Sequence, residues 1–254
     1  MTAREPIWCE RGGKAGPCLV LLHGLGANGT VWEGMKPLLD KHWPGRWLIP
    51  DFRGHGRSSH HAPYGIGMHA ADVAALLGQD EEVSVVGHSM GGVVAIALAS
   101  GMFGVKLRRA AAFSVKTEWT EEDYERGHAV AHAPAKLFDS RDEAIERYLR
   151  VSGLKGLVDP ASPAASVGIS EAQGKFRLAA DPLTFALGRP DFAAIAKAAQ
   201  AKVDLLCGDG DKIATPEGMK TLGGEVMVLK GLGHNVHVEA PEALWGALAP
   251  GLAA

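Results

Sequence analysis

Three short apolar runs, each closed by a polar turn, constrain this 254-residue chain more than any other feature. Cys18–Leu22 is uninterrupted and stops at His23-Gly24; Trp47–Pro50 stops at Asp51; Val83–Gly87 stops at His88. Runs of this length and continuity read as strands buried on both faces, the signature of a parallel sheet. Helical stretches at about Val31–His42, Gly67–Leu77 and Gly91–Ser100 alternate with them, which predicts an α/β fold with a mostly parallel central sheet covered by helices. Arg109–Ser114, Val203–Cys207 and Glu225–Leu229 are further strand candidates. A short strand is expected near Ile7–Glu10 and a last helix over Pro241–Leu248.

The pattern changes between Thr117 and Ala199. Charged helical stretches (TEEDYERGHAVAH, SRDEAIERYLRVSG) separated by Pro and Gly breaks predict a mainly helical lid insertion over 117–199, leaving 1–116 and 200–254 as the core domain. Hydrophobic residues at 46% and charged residues at 22% exclude a disordered or fibrous chain. The net charge of −3 is spread without blocks, so neither nucleic acid nor an anionic membrane is an expected partner. Cys9, Cys18 and Cys207 show no CxxC spacing and read as inert thiols. With no run long enough to span a membrane and no signal-like start, a cytoplasmic location is expected. A homodimer is compatible with the sequence.

Chemistry concentrates where the strands end. Gly87-His88-Ser89-Met90-Gly91 fits G-x-S-x-G between a strand and a helix, a tight turn that presents the serine on a strained backbone. Ser89 is the candidate nucleophile. The Met90 N–H, at the helix start, and the Leu25 N–H, in the turn His23-Gly24-Leu25-Gly26, are candidate donors to the oxyanion of an acyl-transfer intermediate.

A serine hydroxyl needs a base, and His234 in the flexible stretch Gly231–His237 is the candidate, with His237 as its competitor. The base needs a carboxylate to fix its tautomer. Asp211 is preferred over Asp209 for that place, with Asp204 inside the preceding strand. The order Ser89, Asp211, His234 is that of a nucleophile-first hydrolase.

Five segments carry a resemblance: HGLG at 23–26, DFRGHGRS at 51–58, GHSMGG at 87–92, GDGDKIATPE at 208–217 and GLGHNVHVEAPE at 231–242. In this order they resemble the α/β-hydrolase fold family, in particular its small, lidded serine esterases and lactonases. The resemblance implies the catalytic set Ser89, Asp211 and His234, and a bracing role for the loop containing Asp51 and Arg53. It implies no cofactor and no metal. Serine at position 89 argues against the dehalogenases and epoxide hydrolases of this fold, which use an aspartate.

The expected reaction is cleavage of a carboxylic ester or lactone of a small, largely apolar substrate through an acyl-enzyme. Trp32, Trp119 and Tyr124 are candidate pocket residues. Two alternatives stand beside this reading: a carbon–carbon bond hydrolase acting on a diketone-type substrate, and a non-catalytic ligand-binding protein on the same fold. His128 and His132, four apart on one helical face, lack the HExxH pattern and are not expected to hold zinc.

Overall fold

The side chains of the first predicted strand point alternately to two faces, and both faces are covered. In the computed structural model, which describes residues 7–78, 81–186 and 188–253, all five residues of Cys18–Leu22 are buried. Leu19 and Leu21 join a cluster with Ile49, Trp32, Leu244 and Leu248, while Cys18, Val20 and Leu22 join Val85, Val73, Val94 and Leu98. Burying such side chains stabilises the fold by about 1.5–3 kcal/mol each, so a doubly covered strand anchors the sheet.

Among the described residues nine strands form: β1 Cys9–Gly13, β2 Cys18–Leu22, β3 Arg46–Pro50, β4 Val83–His88, β5 Leu107–Phe113, β6 Ile169–Ala172, β7 Lys175–Leu178, β8 Val203–Gly208 and β9 Val226–Leu229. Seven make one sheet in the order β1-β3-β2-β4-β5-β8-β9, with β1 antiparallel to β3 and every other pairing parallel. The mostly parallel α/β architecture expected from the apolar runs is therefore present. Because the strands run in parallel, the segments after β2, β4, β8 and β9 emerge at one edge of the sheet, where ligands bind in folds of this kind.

The helices are α1 Lys36–His42, α2 Ile66–Ala74, α3 Met90–Ala99, α4 Glu121–His132, α5 Arg141–Val151, α6 Pro163–Ser166, α7 Phe192–Lys197, α8 Pro216–Lys220, α9 Val236–Glu239 and α10 Pro241–Ala253. Every residue of α3 is buried, which explains why its sequence is apolar all round. No helix among the described residues is long and apolar enough to cross a membrane.

Three boundaries differ from expectation. The first strand lies at Cys9–Gly13 rather than near Ile7, and the last helix runs on to Ala253 through Pro250. The stretch predicted as one helix from Val31 begins as a 3-10 helix over Gly29–Met35 and becomes α-helical only at Lys36. Between β5 and β8 lie α4 to α7 together with a hairpin of β6 and β7. That hairpin is closed by Gln173 and Gly174, both at positive φ (56° and 71°).

Candidate active site

The turn from β4 to α3 holds Ser89 at φ 52°, ψ −116°, a conformation that costs a non-glycine residue on the order of 1–3 kcal/mol. The close approach that makes the turn possible is visible at Gly87, where a Cβ would lie 2.1 Å from the Gly91 carbonyl oxygen. The Ser89 N–H is tied to the Phe113 carbonyl at 2.9 Å, fixing the elbow to β5. Met90 is the first residue of α3, so its own N–H has no acceptor within the helix and lies where the helix dipole is positive.

Two segments later, β8 and β9 deliver an acid and an imidazole. His234 Nδ1 donates to Asp211 Oδ2 at 2.9 Å. The other carboxylate oxygen accepts the N–H groups of Ile213 (2.8 Å) and Ala214 (2.9 Å). Burial opposes ionisation of Asp211, but the His234 bond and these two amides outweigh it and hold the carboxyl below its ordinary range. The bond through Nδ1 fixes the neutral tautomer that leaves His234 Nε2 as an acceptor.

The competitors are used elsewhere. Asp209 accepts the Gly231 N–H at 2.7 Å, and Asp204 pairs with Arg109 at 2.6 Å. His237 is fully buried, neither of its ring nitrogens has a hydrogen-bond partner among the described residues, and burial pushes its pKa down to about 3.

The turn after β2 is held from below. His55 Nε2 accepts the Gly26 N–H at 3.1 Å while its Nδ1 donates to the Arg53 carbonyl, and His23 Nε2 accepts the Phe52 N–H at 2.9 Å. Asp51, wholly buried, accepts from Gly29 N–H (2.7 Å) and from Arg57 Nε (2.8 Å). Arg53 is ion-paired with Asp72. These contacts fix the loop at 51–58 against the loop carrying Leu25.

Leu25, Ser89, Met90 and His234 all line one cavity of about 670 Å³. Trp119 and Tyr124 line it too. Their rings stack at 5.6 Å, with Lys116 over Trp119 and Arg189 over Tyr124. Trp32 is a correction: it is fully buried and packs edge-on against Phe113 at 5.9 Å, outside the cavity lining. In a 3-10 helix residues three apart eclipse one another, so Trp32 falls in line with Gly29 and Met35, and all three face the core.

The model of the alpha/beta hydrolase family matches residues 19–247. The chain belongs to that family. Among curated relatives, the lipase LipV of Mycobacterium tuberculosis is 35% identical over 155 residues, covering 59% of this chain and 56% of that protein. A pimeloyl-[acyl-carrier protein] methyl ester esterase of Aeromonas hydrophila is 42% identical over 92 residues, covering 35% of this chain and 34% of that one. The chain thus spans from about a quarter to just over half the length of the curated relatives it matches. The solved structure of an E-2-(acetamidomethylene)succinate hydrolase superposes with a TM-score of 0.78 at 22% identity, covering 97% of this chain and 94% of that one, and so shares the fold.

Two residues of this alpha/beta hydrolase escaped the sequence reading although they sit inside the quoted segments. His55 lies in the segment 51–58 and His88 in the segment 87–92, and neither is singled out there. The signal available was only that both positions hold an imidazole, a side chain able to accept or donate one hydrogen bond at each nitrogen.

Proposed function

We propose that this chain is a serine hydrolase that cleaves a carboxylic ester or lactone of a small, largely apolar substrate. The observation that carries the reading is that His234, hydrogen-bonded to Asp211, lines the same cavity as Ser89 on its strained elbow. In this mechanism His234 Nε2 takes the Ser89 proton as Oγ attacks the carbonyl carbon, and Asp211 stabilises the imidazolium so formed. The Leu25 and Met90 N–H groups receive the developing oxyanion. Collapse expels the alcohol oxygen, protonated by His234, and water activated by the same imidazole releases the acid.

Residues 117–199 act as the lid in this reading, and the apolar cavity wall that they supply through Trp119, Tyr124, Phe185 and Phe192 favours an uncharged acyl group. The names of two relatives, a lipase and a methyl ester esterase, support ester chemistry. The test is turnover of a panel of activated acyl esters, aromatic esters and lactones by wild type and Ser89→Ala, with fluorophosphonate labelling mapped by mass spectrometry. A loss of at least ~10³-fold in kcat on Ser89→Ala, with the label on Ser89, is expected. Equal near-background rates for both proteins across the panel, with no label, would refute the proposal.

A further inference from the structure

His88 lies beside Ser89 in sequence, but its ring touches three separate parts of the site. Its Nε2 donates to the backbone carbonyl of His234 at 3.0 Å, a bond that spans 146 residues. Its other side faces the turn after β2 so closely that a Cβ on Gly24 would lie 2.9 Å from His88 Nδ1 and 3.3 Å from Ser89 Cβ. Its ring centroid is 4.8 Å from that of His234, 4.4 Å from His237 and 5.1 Å from Phe113. The ring is 4% exposed with its residue, and Nδ1 has no partner among the described residues.

From this geometry we infer that His88 is a positioning residue that sets the distance and angle between Ser89 and His234 by pinning the His234 backbone to the nucleophile elbow. The inference rests on the serine-hydrolase reading. His234 sits on a glycine-bearing connection, and among the described residues the Asp211 carboxylate is the one hydrogen-bond partner of its side chain. One anchor leaves the ring free to swing about that bond. The His88 Nε2–H fixes the backbone end, and two fixed ends define where His234 Nε2 points.

The reach of the ring explains why the donor is an imidazole. The acceptor carbonyl belongs to a different loop, so a short hydroxyl at position 88 would fall short, while a charged lysine would be buried unpaired beside His237 and Phe113. Burial, with His237 and His234 nearby, keeps His88 well below the ordinary imidazole range. It is therefore a neutral donor and adds no positive charge next to the imidazolium formed during attack. The Gly24 contact adds the oxyanion turn to the same support, so one ring spaces the nucleophile, the base and the Leu25 turn.

The effect on rate follows from position, since a displacement of about 1 Å in a reacting group can cost ~10²-fold. The test compares wild type, His88→Met, which fills a similar volume without a donor, and His88→Gln, whose amide nitrogen reaches about as far as Nε2. His88→Met is expected to lower kcat on the best ester by ~10- to 10²-fold with KM within about twofold, and His88→Gln to recover most of that loss. Met and Gln variants that both keep wild-type kcat, or that lose it equally, overturn the inference. If the Met variant does not fold, nitrogen NMR of the wild type decides: the Nε2–H tautomer of His88 at pH 7 supports the inference, and the Nδ1–H tautomer or an imidazolium refutes it. Ser89→Ala in the same assay separates the two levels, because an inactive wild type that resists fluorophosphonate fails the hydrolase reading itself.

Discussion

Lowering the pH from 7 to 5 should destabilise this fold by several kcal/mol through its buried histidines alone. His69 and His237 are both fully buried, and burial pushes each down to about 3. In the unfolded chain an imidazole titrates near 6.5, so it goes from about one quarter protonated at pH 7 to almost fully protonated at pH 5. Over that window the unfolded state binds more protons than the native state, and stability rises with pH and falls as acid is added. The loss begins as pH drops through the unfolded value near 6.5 and stops only near the folded value of about 3. Between pH 7 and 5 it comes to about 2 kcal/mol for each of the two groups.

Two histidines therefore account for about 4 kcal/mol, a large part of the 5–15 kcal/mol that holds a typical domain folded. His23, His55 and His88 are lowered by burial too and act in the same direction. The Asp211 carboxyl, held below its ordinary range, titrates at lower pH and does not enter this window. Urea unfolding followed by tryptophan fluorescence at pH 7, 6 and 5 measures the slope. His69→Met sharpens the test. Neither ring nitrogen of His69 has a partner among the described residues, so the apolar replacement should keep the stability at pH 7 within about 1.5 kcal/mol and remove about 2 kcal/mol of the acid loss. A total loss below about 1 kcal/mol, or a His69→Met slope equal to that of wild type, would show that these imidazoles are not held neutral by burial.

Asp211→Asn should reduce kcat by ~10⁴-fold while leaving KM nearly unchanged, because an amide cannot stabilise the imidazolium and lets His234 adopt the wrong tautomer; steady-state kinetics on the best ester checks it. Trp119→Ala should raise KM about tenfold for aromatic and medium-chain acyl esters and leave acetyl esters within about twofold, since only the larger groups reach its face of the cavity. A uniform change across acyl lengths would place Trp119 outside the acyl path.

The sheet was legible because its signals are local. Cys18–Leu22 is buried on both faces and apolar throughout, and in Val83–Gly87 only Ser84 breaks the run, so no tertiary information is needed to see either strand. The Asp211–His234 pair was legible for a related reason: both lie directly after strands that must end at the same sheet edge. Trp32 was not, because its direction depends on whether the turn has three or 3.6 residues, and the sequence VWEG does not distinguish them. The β6–β7 hairpin was hidden as well. Its two-residue turn uses Gln173-Gly174 where Asn-Gly or Asp-Gly would have announced it. His88 could not have been assigned from sequence at all, since its acceptor is a backbone carbonyl far along the chain.

The histidines around the reacting edge show why proximity alone does not choose a base. His88 and His237 are within 4.8 Å of one another or of His234 by ring centroid, and each is an imidazole close to the elbow. Both are buried with no carboxylate bonded to them, and an imidazole that leaves water without a counter-charge loses affinity for a proton. His234 differs in two respects: its side chain is 17% exposed, and Asp211 meets its Nδ1. In the proposed mechanism the carboxylate selects the base, and the neutral imidazoles behind it supply shape. Because they are rigid and uncharged, they fill the space behind His234 without competing for the proton that Ser89 must give up. The predicted acid sensitivity of the fold and the proposed role of His234 then share one cause, the burial of imidazoles such as His88 and His237 with no carboxylate bonded to them among the described residues.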